Sequence, residues 1–502
     1  MLRRLALLPI AVLACASACK KEPAQSPPRE DPAGKSPTGA TATAADGDAK
    51  AAAAAKAKAE GEAACKKAKL EGVLSWIADD YPAALACAKA RNLPLVLDLW
   101  APWCHTCLSM QQIVFTDPSF AADAPRFVFA ALDTDRDANA APVAKFPPAA
   151  WPTFYVVSPD EAVLARFVGA ASTAQFHAFL DAGARAHAGG TAGPDTRLLA
   201  AERALAAKDL ATAEQELTAA LAAAPRDWAR RPDALVSLIG AKQKRGDMIG
   251  CVELAERSMG DTGSAASATD FLYFAAACAT ALVEPADKAD KGARPDAATV
   301  ARVKRLREAA VARWQKLIDD PAAPLTVDDR SDAMANLREA LVALGKKADA
   351  RAVAERQRAL LDETAAKAGS PMGAMTYNWP RAEVYAFLER PLELVPALEK
   401  SARDLPDEYD PPARLGWIYW KGGKLDEAAK WTDAALKLVY GPRKVRVLNQ
   451  RASIAAQAGD RAAERAARAE IVKTLEALPP SQTTPDAIEK ARATLADLDA
   501  KR

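Results

Sequence analysis

The chain has 502 residues, which is too long for one ordinary hydrophobic core and predicts two to four domains. Its 67 basic and 65 acidic residues leave a formal charge of only +2, with no long block of like charges. Such a balanced chain lacks the electrostatic footprint of a nucleic-acid-binding protein, so no nucleic-acid partner is expected.

The N-terminus has the pattern of a secretory signal. Two arginines precede an apolar run over residues 5–14, which is shorter than the roughly 20 residues of a membrane-spanning helix. The ending "VLACASAC" resembles the signal of a bacterial lipoprotein, in which the cysteine after the cut is lipidated. We expect a signal peptide over residues 1–19 with Cys19 lipidated. Cys15 is the alternative lipid site, and ordinary cleavage near Ala18 is a third possibility.

Export predicts a location in the cell envelope, on the periplasmic side of a bacterial membrane reached through the lipid anchor. Disulfides persist in such an oxidising compartment. The longest apolar run elsewhere, residues 271–283, is too short to cross a bilayer and predicts a buried helix. Residues 20–62 contain no aromatic residue and are rich in Ala, Pro and Lys, which predicts a disordered tether that is partly helical over 49–59.

Residues 63–190 alternate strand-like and helix-like stretches and predict an α/β domain. "LPLVLDLW" and "RFVFAALD" predict buried strands, and "PTFYVV" and "AVLARFVG" predict a later pair joined by the turn "SPDE". Helical patterns lie between and around these strands, over residues 81–91, 107–115, 138–145 and 173–187. The glycine-rich "AGGTAGPD" marks the end of this domain.

Residues 196–502 lack the strand pattern, and Ala, Leu, Arg and Glu recur at helical spacing. "KDLATAEQELTAALAAAP" resembles "GKLDEAAKWTDAALKLVYGP". Similar helix starts recur in steps of about 33 to 40 residues, which predicts an all-α solenoid. "ARLGWIYWKGGKLDEAAKWTDAAL" is similar to the tetratricopeptide repeat. We expect this domain to dock a peptide or protein ligand. The aromatic residues around Trp417 and Trp431 either line the docking surface or pack in the core.

The stretch "LDLWAPWCHTC" places Cys104 and Cys107 at the end of a predicted strand. A thiolate attacks disulfides far better than a thiol does, and the N–H groups at the start of a helix lower the pKa of a cysteine there. Cys107, one helical turn later, is placed to close a disulfide with Cys104. A zinc half-site or a static disulfide is the alternative. Zinc needs two further ligands, and the sequence offers no second CxxC and only His177 and His187 besides His105. We therefore expect no metal and no other cofactor.

"WAPWCHTC" resembles the active site of the thioredoxin-fold thiol-disulfide oxidoreductases, and "WPTF" resembles the cis-proline segment of that family. The surrounding sequence is closer to the C-terminal domain of the thiol:disulfide interchange protein DsbD than to small cytosolic thioredoxins. The resemblance implies that Cys104 is the nucleophile and Cys107 the resolving thiol. It also implies that Asp98 is a buried acid that shuttles the proton of Cys107, and that Pro152 docks an extended substrate. Trp103 would frame the site.

Three departures from the family pattern concern the substrate and the redox balance. His105 and Thr106 stand where the family usually has Gly-Pro, and a histidine there either tunes the thiolate toward oxidation or is an ordinary exposed residue. Trp151 precedes the proline where a smaller residue is usual, which alters the fit of the substrate. Ala131 takes the place of a lysine that often lies near the buried acid.

Together these features predict an exported, membrane-anchored thiol-disulfide oxidoreductase that reduces or isomerises disulfides in envelope proteins. It would need a thiol electron donor or acceptor protein, because the chain has no flavin or nicotinamide fingerprint. One alternative is a non-catalytic envelope scaffold whose repeats assemble a complex, and another is a thiol oxidase that introduces disulfides. The remaining cysteines are expected to be structural, with their pairing open: Cys65, Cys87, Cys251 and Cys278.

Overall fold

The structure is a computed structural model that describes residues 44–283 and 295–500. The predicted signal peptide, with Cys15 and Cys19, lies outside the described residues. So does the predicted tether as far as residue 43. The signal peptide and this part of the tether therefore remain predictions from the sequence.

A six-stranded mixed sheet forms the centre of the N-terminal region, in the order β1-β2-β4-β3-β5-β6. The strands are β1 Lys69–Glu71, β2 Leu74–Ala78, β3 Leu95–Trp100, β4 Val128–Asp133, β5 Thr153–Val157 and β6 Val163–Val168. β4 pairs in parallel with β2 and β3, whereas β5 pairs antiparallel with β3 and β6. The sequence predicts β3 to β6 but misses β1 and β2, because that hairpin is short and β1 is exposed along its whole length.

Helices cover both faces of this sheet. They are α1 Ala44–Cys65, α2 Tyr81–Arg91, α3 His105–Ser109, α4 Ala140–Lys145 and α5 Thr173–His187. A π-helical turn, Met110–Val114, continues α3, so the predicted helix over 107–115 begins two residues earlier than expected. A hydrophobic core lies on each face of the sheet, and successive residues of β5 point into different cores. Phe154 packs with α5 on one face, and Tyr155 packs on the face that carries α2.

Helix α1 includes residues 44–62 of the predicted tether, and it contains the run 49–59 for which the sequence predicts helix. Alanine and lysine favour the helix, and two contacts hold its end in place. A disulfide joins Cys65 to Cys87 of α2. Gly61 packs so closely on α2 that an added Cβ would lie 2.5 Å from the Cβ of Ala90. Helix α1 is therefore part of the folded domain.

From Pro194 onward the described chain is helical, as the sequence predicts. The helices are α6 Pro194–Ala206, α7 Leu210–Ala223, α8 Arg231–Lys244, α9 Met248–Ser258, α10 Ala266–Val283, α11 Ala297–Asp319, α12 Val327–Ala343, α13 Lys347–Lys367, α14 Pro371–Met375, α15 Asn378–Phe387, α16 Val395–Asp404, α17 Asp410–Lys421, α18 Leu425–Leu436, α19 Gly441–Ala458, α20 Arg461–Ala477 and α21 Pro485–Ala500. Successive helices pack on one another, most extensively α6 on α7, α12 on α13, α17 on α18 and α19 on α20.

The tetratricopeptide-like stretch forms the pair α17 and α18. Gly416 lies where the two helices approach closely, since an added Cβ would be 2.3 Å from Oγ1 of Thr432. Gly423, with φ of +73°, makes the turn between the helices. The small residues that indicated a helical array in the sequence therefore sit at a helix contact and at a turn.

Helix α10 contains the apolar run noted in the sequence. Among the described helices it alone is long and apolar enough to cross a membrane, and half of it is buried in the protein. It packs against α8, α9, α11 and α12, and Cys278 forms a disulfide with Cys251 of α9. These contacts are those of a core helix.

Removing the Cys251–Cys278 disulfide is expected to lower the stability of the helical region. The bridge spans 27 residues of sequence, and a loop of that size contributes about 3.5 kcal/mol by restricting the unfolded chain. The double variant Cys251→Ala/Cys278→Ala should unfold about 5 to 10 °C earlier in calorimetry. Disulfide exchange at Cys104 should be unaffected at 25 °C, and an unchanged unfolding temperature would contradict the structural assignment.

Candidate active site

Cys104 and Cys107 form a disulfide at the N-terminus of α3. Cys104 is the N-cap residue, and its Sγ accepts a hydrogen bond from the backbone N–H of Cys107 at 3.0 Å. Cys104 is 5% exposed and Cys107 only 1%. The structure thus places the pair at the junction of β3 and α3, as the sequence predicts. The N–H groups there favour a negative charge on the first sulfur.

Asp98 lies in the middle of β3 and is 1% exposed. Gln111 donates a hydrogen bond to its Oδ2 at 3.2 Å, and its Oδ1 has no partner within the described part of the chain. Burial raises the pKa of Asp98 to about 7, against the smaller opposite effect of Gln111. Ala131 is its partner in the parallel pairing with β4, so the neighbouring strand brings no cation to Asp98 at that position.

The cis peptide bond between Trp151 and Pro152 precedes β5. The indole of Trp151 packs on that of Trp103, with 5.3 Å between ring centroids. Each indole N–H is bonded, that of Trp103 to Asp135 and that of Trp151 to Thr134, both at 2.8 Å. The structure therefore brings the predicted Trp103, Trp151 and Pro152 into one wall beside the cysteines, with Trp151 36% exposed.

Part of the repeat region contacts α3 directly, which the sequence does not predict. His105 Nδ1 lies 2.9 Å from Oδ1 of Asp328, in the first turn of α12. Ser109 donates a hydrogen bond to the hydroxyl of Thr326 at 3.2 Å, and α14 and α15 also pack on α3. The helix that carries the resolving cysteine is therefore held against the repeats.

A second part of the repeat region contacts the tryptophan wall. Arg414 of α17 donates a hydrogen bond to the carbonyl of Trp103 at 3.4 Å. The guanidinium of Arg443, in α19, lies 4.7 Å from the centre of the Trp103 ring. The hydroxyl of Tyr440 donates to Oδ2 of Asp133, at the end of β4. The cysteine pair therefore lies between its own domain and two separate segments of the repeats.

The charge on His105 is set by this contact. Burial disfavours the imidazolium, but the carboxylates of Asp328 and Asp332 outweigh burial and raise the pKa of His105 to about 10. Asp332 Oδ1 lies 3.9 Å from Nε2 of His105. His105 is therefore partly buried, with its side chain 20% exposed, and the two carboxylates favour its charged form at neutral pH, so it is not an ordinary exposed histidine.

The same three residues form a group whose ligand atoms lie within 4.8 Å of one another: His105, Asp328 and Asp332. Their residue types occur in metal sites. However, Nδ1 of His105 is occupied by Asp328, and the distances are those of an ion pair. We assign no metal to this group.

Comparison with known proteins supports the thioredoxin-like part of the architecture. Residues 75–159, which include the CxxC pair and Pro152, match a family model described as thioredoxin-like. Among solved structures the chain is similar to a tetratricopeptide repeat protein from Parabacteroides merdae, with 13% identity and a TM-score of 0.38. The match covers 60% of this chain and 98% of that chain. It is also similar to the tetratricopeptide domain of P58(IPK), with 15% identity, 62% of this chain and 99% of that chain covered, and a TM-score of 0.20. No curated protein matches the chain. The protein thus has a thioredoxin-like domain that includes residues 75–159, followed by the helices α6 to α21.

Proposed function

We propose that the protein is a thiol-disulfide oxidoreductase that reduces or isomerises disulfides in proteins of the cell envelope. The observation that supports this most strongly is the Cys104–Cys107 pair at the start of α3, where Cys104 Sγ accepts the N–H of Cys107. The cis-Pro152 segment and the buried Asp98 belong to the same thioredoxin-like domain. A bridge that served stability alone would need neither feature.

The proposed cycle begins with both cysteines reduced. The Cys104 thiolate attacks a substrate disulfide, forms a mixed disulfide and releases one substrate thiolate. Asp98 accepts the proton of Cys107, whose sulfur then attacks Cys104 and displaces the second substrate thiolate. Two electrons have passed to the substrate, and the protein is left with the Cys104–Cys107 disulfide. A thiol donor protein must then reduce it again.

A second candidate function is thiol oxidation, in which the same steps run in reverse and a thiol acceptor protein takes the electrons. It is favoured by the positive charge on the partly buried His105, next to Cys104 in sequence. A cation beside the thiolate stabilises the reduced form, and a protein whose reduced form is stabilised is a stronger oxidant.

The low exposure of Cys104 beside the repeats supports a role for the repeats in substrate selection. Cys104 is 5% exposed, with α12 and α17 packed nearby. We propose that the repeats select the substrates that reach this sulfur, in addition to docking a peptide or protein ligand.

The Cys65–Cys87 and Cys251–Cys278 disulfides are compatible with export, and we propose a lipid anchor at Cys19 or Cys15 as the sequence predicts.

Asp98→Asn tests the proposed proton transfer. With the pKa of Asp98 at about 7, the resolving step of the native protein should accelerate between pH 6 and pH 8 as the carboxylate forms. The variant should lack this rise and be at least about tenfold slower at pH 8. Stopped-flow release of product from a mixed disulfide at Cys104 measures this step.

Gln111→Leu provides the matched control for Asp98. The Gln111 hydrogen bond lowers the pKa of Asp98, so its loss should raise that pKa. The pH at which the resolving step accelerates should therefore be higher in the variant. If Asp98→Asn keeps the native profile, another group accepts the proton.

A further inference from the structure

A small pocket of about 130 Å³ lies beside the cysteine pair, between the thioredoxin-like domain and the repeats. Thr106, which stands between the two cysteines, and Trp151, which precedes the cis-proline, form part of its lining. The repeat region contributes three aspartates to the lining, Asp270 of α10 and Asp329 and Asp332 of α12. The pocket therefore touches both the CxxC segment and the segment that precedes the cis-proline.

Two oxygens at this pocket are buried without a hydrogen-bond partner among the described residues: Oγ1 of Thr269 and Oδ2 of Asp270. Thr269 is only 4% exposed. Gly169, after β6, leaves the space for the Asp270 carboxyl, because an added Cβ would lie 2.4 Å from Oδ2. Buried polar atoms in folded proteins are nearly always paired, so two unpaired oxygens in one pocket indicate a missing partner.

The missing partner is a hydrogen-bond donor with positive charge. Three aspartates line the pocket, and no Lys, Arg or His is among its described lining residues. His105, which is not among the lining residues, is paired with Asp328 and lies 3.9 Å from Oδ1 of Asp332. Burial and the neighbouring Asp329 raise the pKa of Asp270 to about 8, and burial raises the pKa of Asp329 to about 6. The Asp270 carboxyl resists ionisation because the charge that faces it is the carboxylate of Asp329, and a bound cation would supply a counter-charge.

The rest of the lining decides which kind of cation fits. It is aliphatic and aromatic: Trp151, Val168, Ala170, Val236, Ala266, Tyr273 and Phe274. A hydrated metal ion gains little from such walls, because hard divalent ions need six or more oxygen ligands. A lysine or arginine side chain fits both parts, with its stem on the apolar wall and its charged end at the aspartates.

We infer that this pocket binds a lysine or arginine side chain of the substrate, close in sequence to the cysteine whose disulfide is exchanged. The inference rests on the proposed function, since it names a substrate preference of the same site. The pocket would select substrates by charge, through residues that the repeat region contributes.

Model peptides test the inference with the reduced full-length protein. Each peptide carries one cysteine as a mixed disulfide with 5-thio-2-nitrobenzoate, and the neighbouring residue is Lys, norleucine or Glu. The Lys peptide should release the chromophore about tenfold faster than the norleucine peptide, as expected for a hydrogen bond to a charged group. In Asp270→Asn the Lys preference should fall to about one, while the norleucine rate stays unchanged.

Two controls separate the inference from the proposed function. Asp497→Asn, an exposed site on α21, changes charge without touching the pocket and should keep the Lys preference. Calorimetry with peptides that carry Ser in place of Cys measures binding without chemistry. If Lys and norleucine peptides react and bind equally well, the inference fails while the function stands. If no peptide is reduced but the Lys peptide still binds preferentially, the proposed function fails and the cation site stands.

Discussion

Cys104→Ser is expected to abolish disulfide exchange, lowering its rate by at least about a thousandfold. A serine hydroxyl stays protonated at neutral pH and does not displace a thiolate from a disulfide. Cys107→Ser should behave differently, because Cys104 still attacks but nothing resolves the mixed disulfide. Mass spectrometry of the intact variants, after mixing with a disulfide peptide, should show a stable adduct for Cys107→Ser and none for Cys104→Ser.

Both serine variants are expected to fold, since the bridge joins residues only three apart and restricts the unfolded chain little. Cys65→Ala/Cys87→Ala provides a control that removes a disulfide from the same domain while leaving the reactive pair. If Cys104→Ser supports normal function in the source cell, the protein is a scaffold whose repeats assemble an envelope complex. Exchange of disulfides would then not be its function.

His105→Gln is expected to lower the reduction potential of the cysteine pair by about 30 to 60 mV. The substitution removes the cation beside Cys104 and leaves the carboxylate of Asp328 without a partner. Both changes destabilise the thiolate and therefore the reduced form, by a factor of about 10 to 100 in the equilibrium constant. Equilibration with glutathione buffers, followed by alkylation of free thiols, measures this shift.

His177→Gln is the matched control for this prediction. His177 also lies beside a carboxylate, with Nδ1 2.8 Å from Oδ2 of Asp123, and it belongs to α5 of the same domain. Its removal should leave the potential unchanged, because it contacts Asp123 and the ring of Phe120 and not the α3 terminus. Equal shifts in the two variants would show that His105 does not act on Cys104 through its charge.

The sequence predicts the features that depend on local pattern. Continuous apolar runs identify strands β3 to β6, and helical periodicity gives α2 and α5 with their observed ends. The spacing of Cys104 and Cys107 after β3 places them at a helix start, and the apolar residues around Asp98 indicate its burial. Each of these depends on residues within one element and its immediate neighbours.

The contacts around the active site could not be predicted in this way. His105 and Asp328 are 223 residues apart, and Trp103 and Arg414 are 311 apart. Periodicity shows that a helix has a buried face but does not show what covers it. Asp328, in the first turn of α12, has the pattern of an ordinary helix start, yet its side chain is fully buried against the active site. For the same reason the acidic pocket has no sequence signal.

The most direct test is the redox behaviour of the Cys104–Cys107 pair in the full protein, followed across glutathione buffers by mass shift after alkylation. The pair should change between dithiol and disulfide as a two-electron couple, at a potential between about −270 and −120 mV. A value near the lower limit indicates a reductase and one near the upper limit an oxidant. The Cys65–Cys87 and Cys251–Cys278 bridges should stay oxidised throughout. A Cys104–Cys107 pair that never leaves the disulfide form would contradict the proposed enzyme.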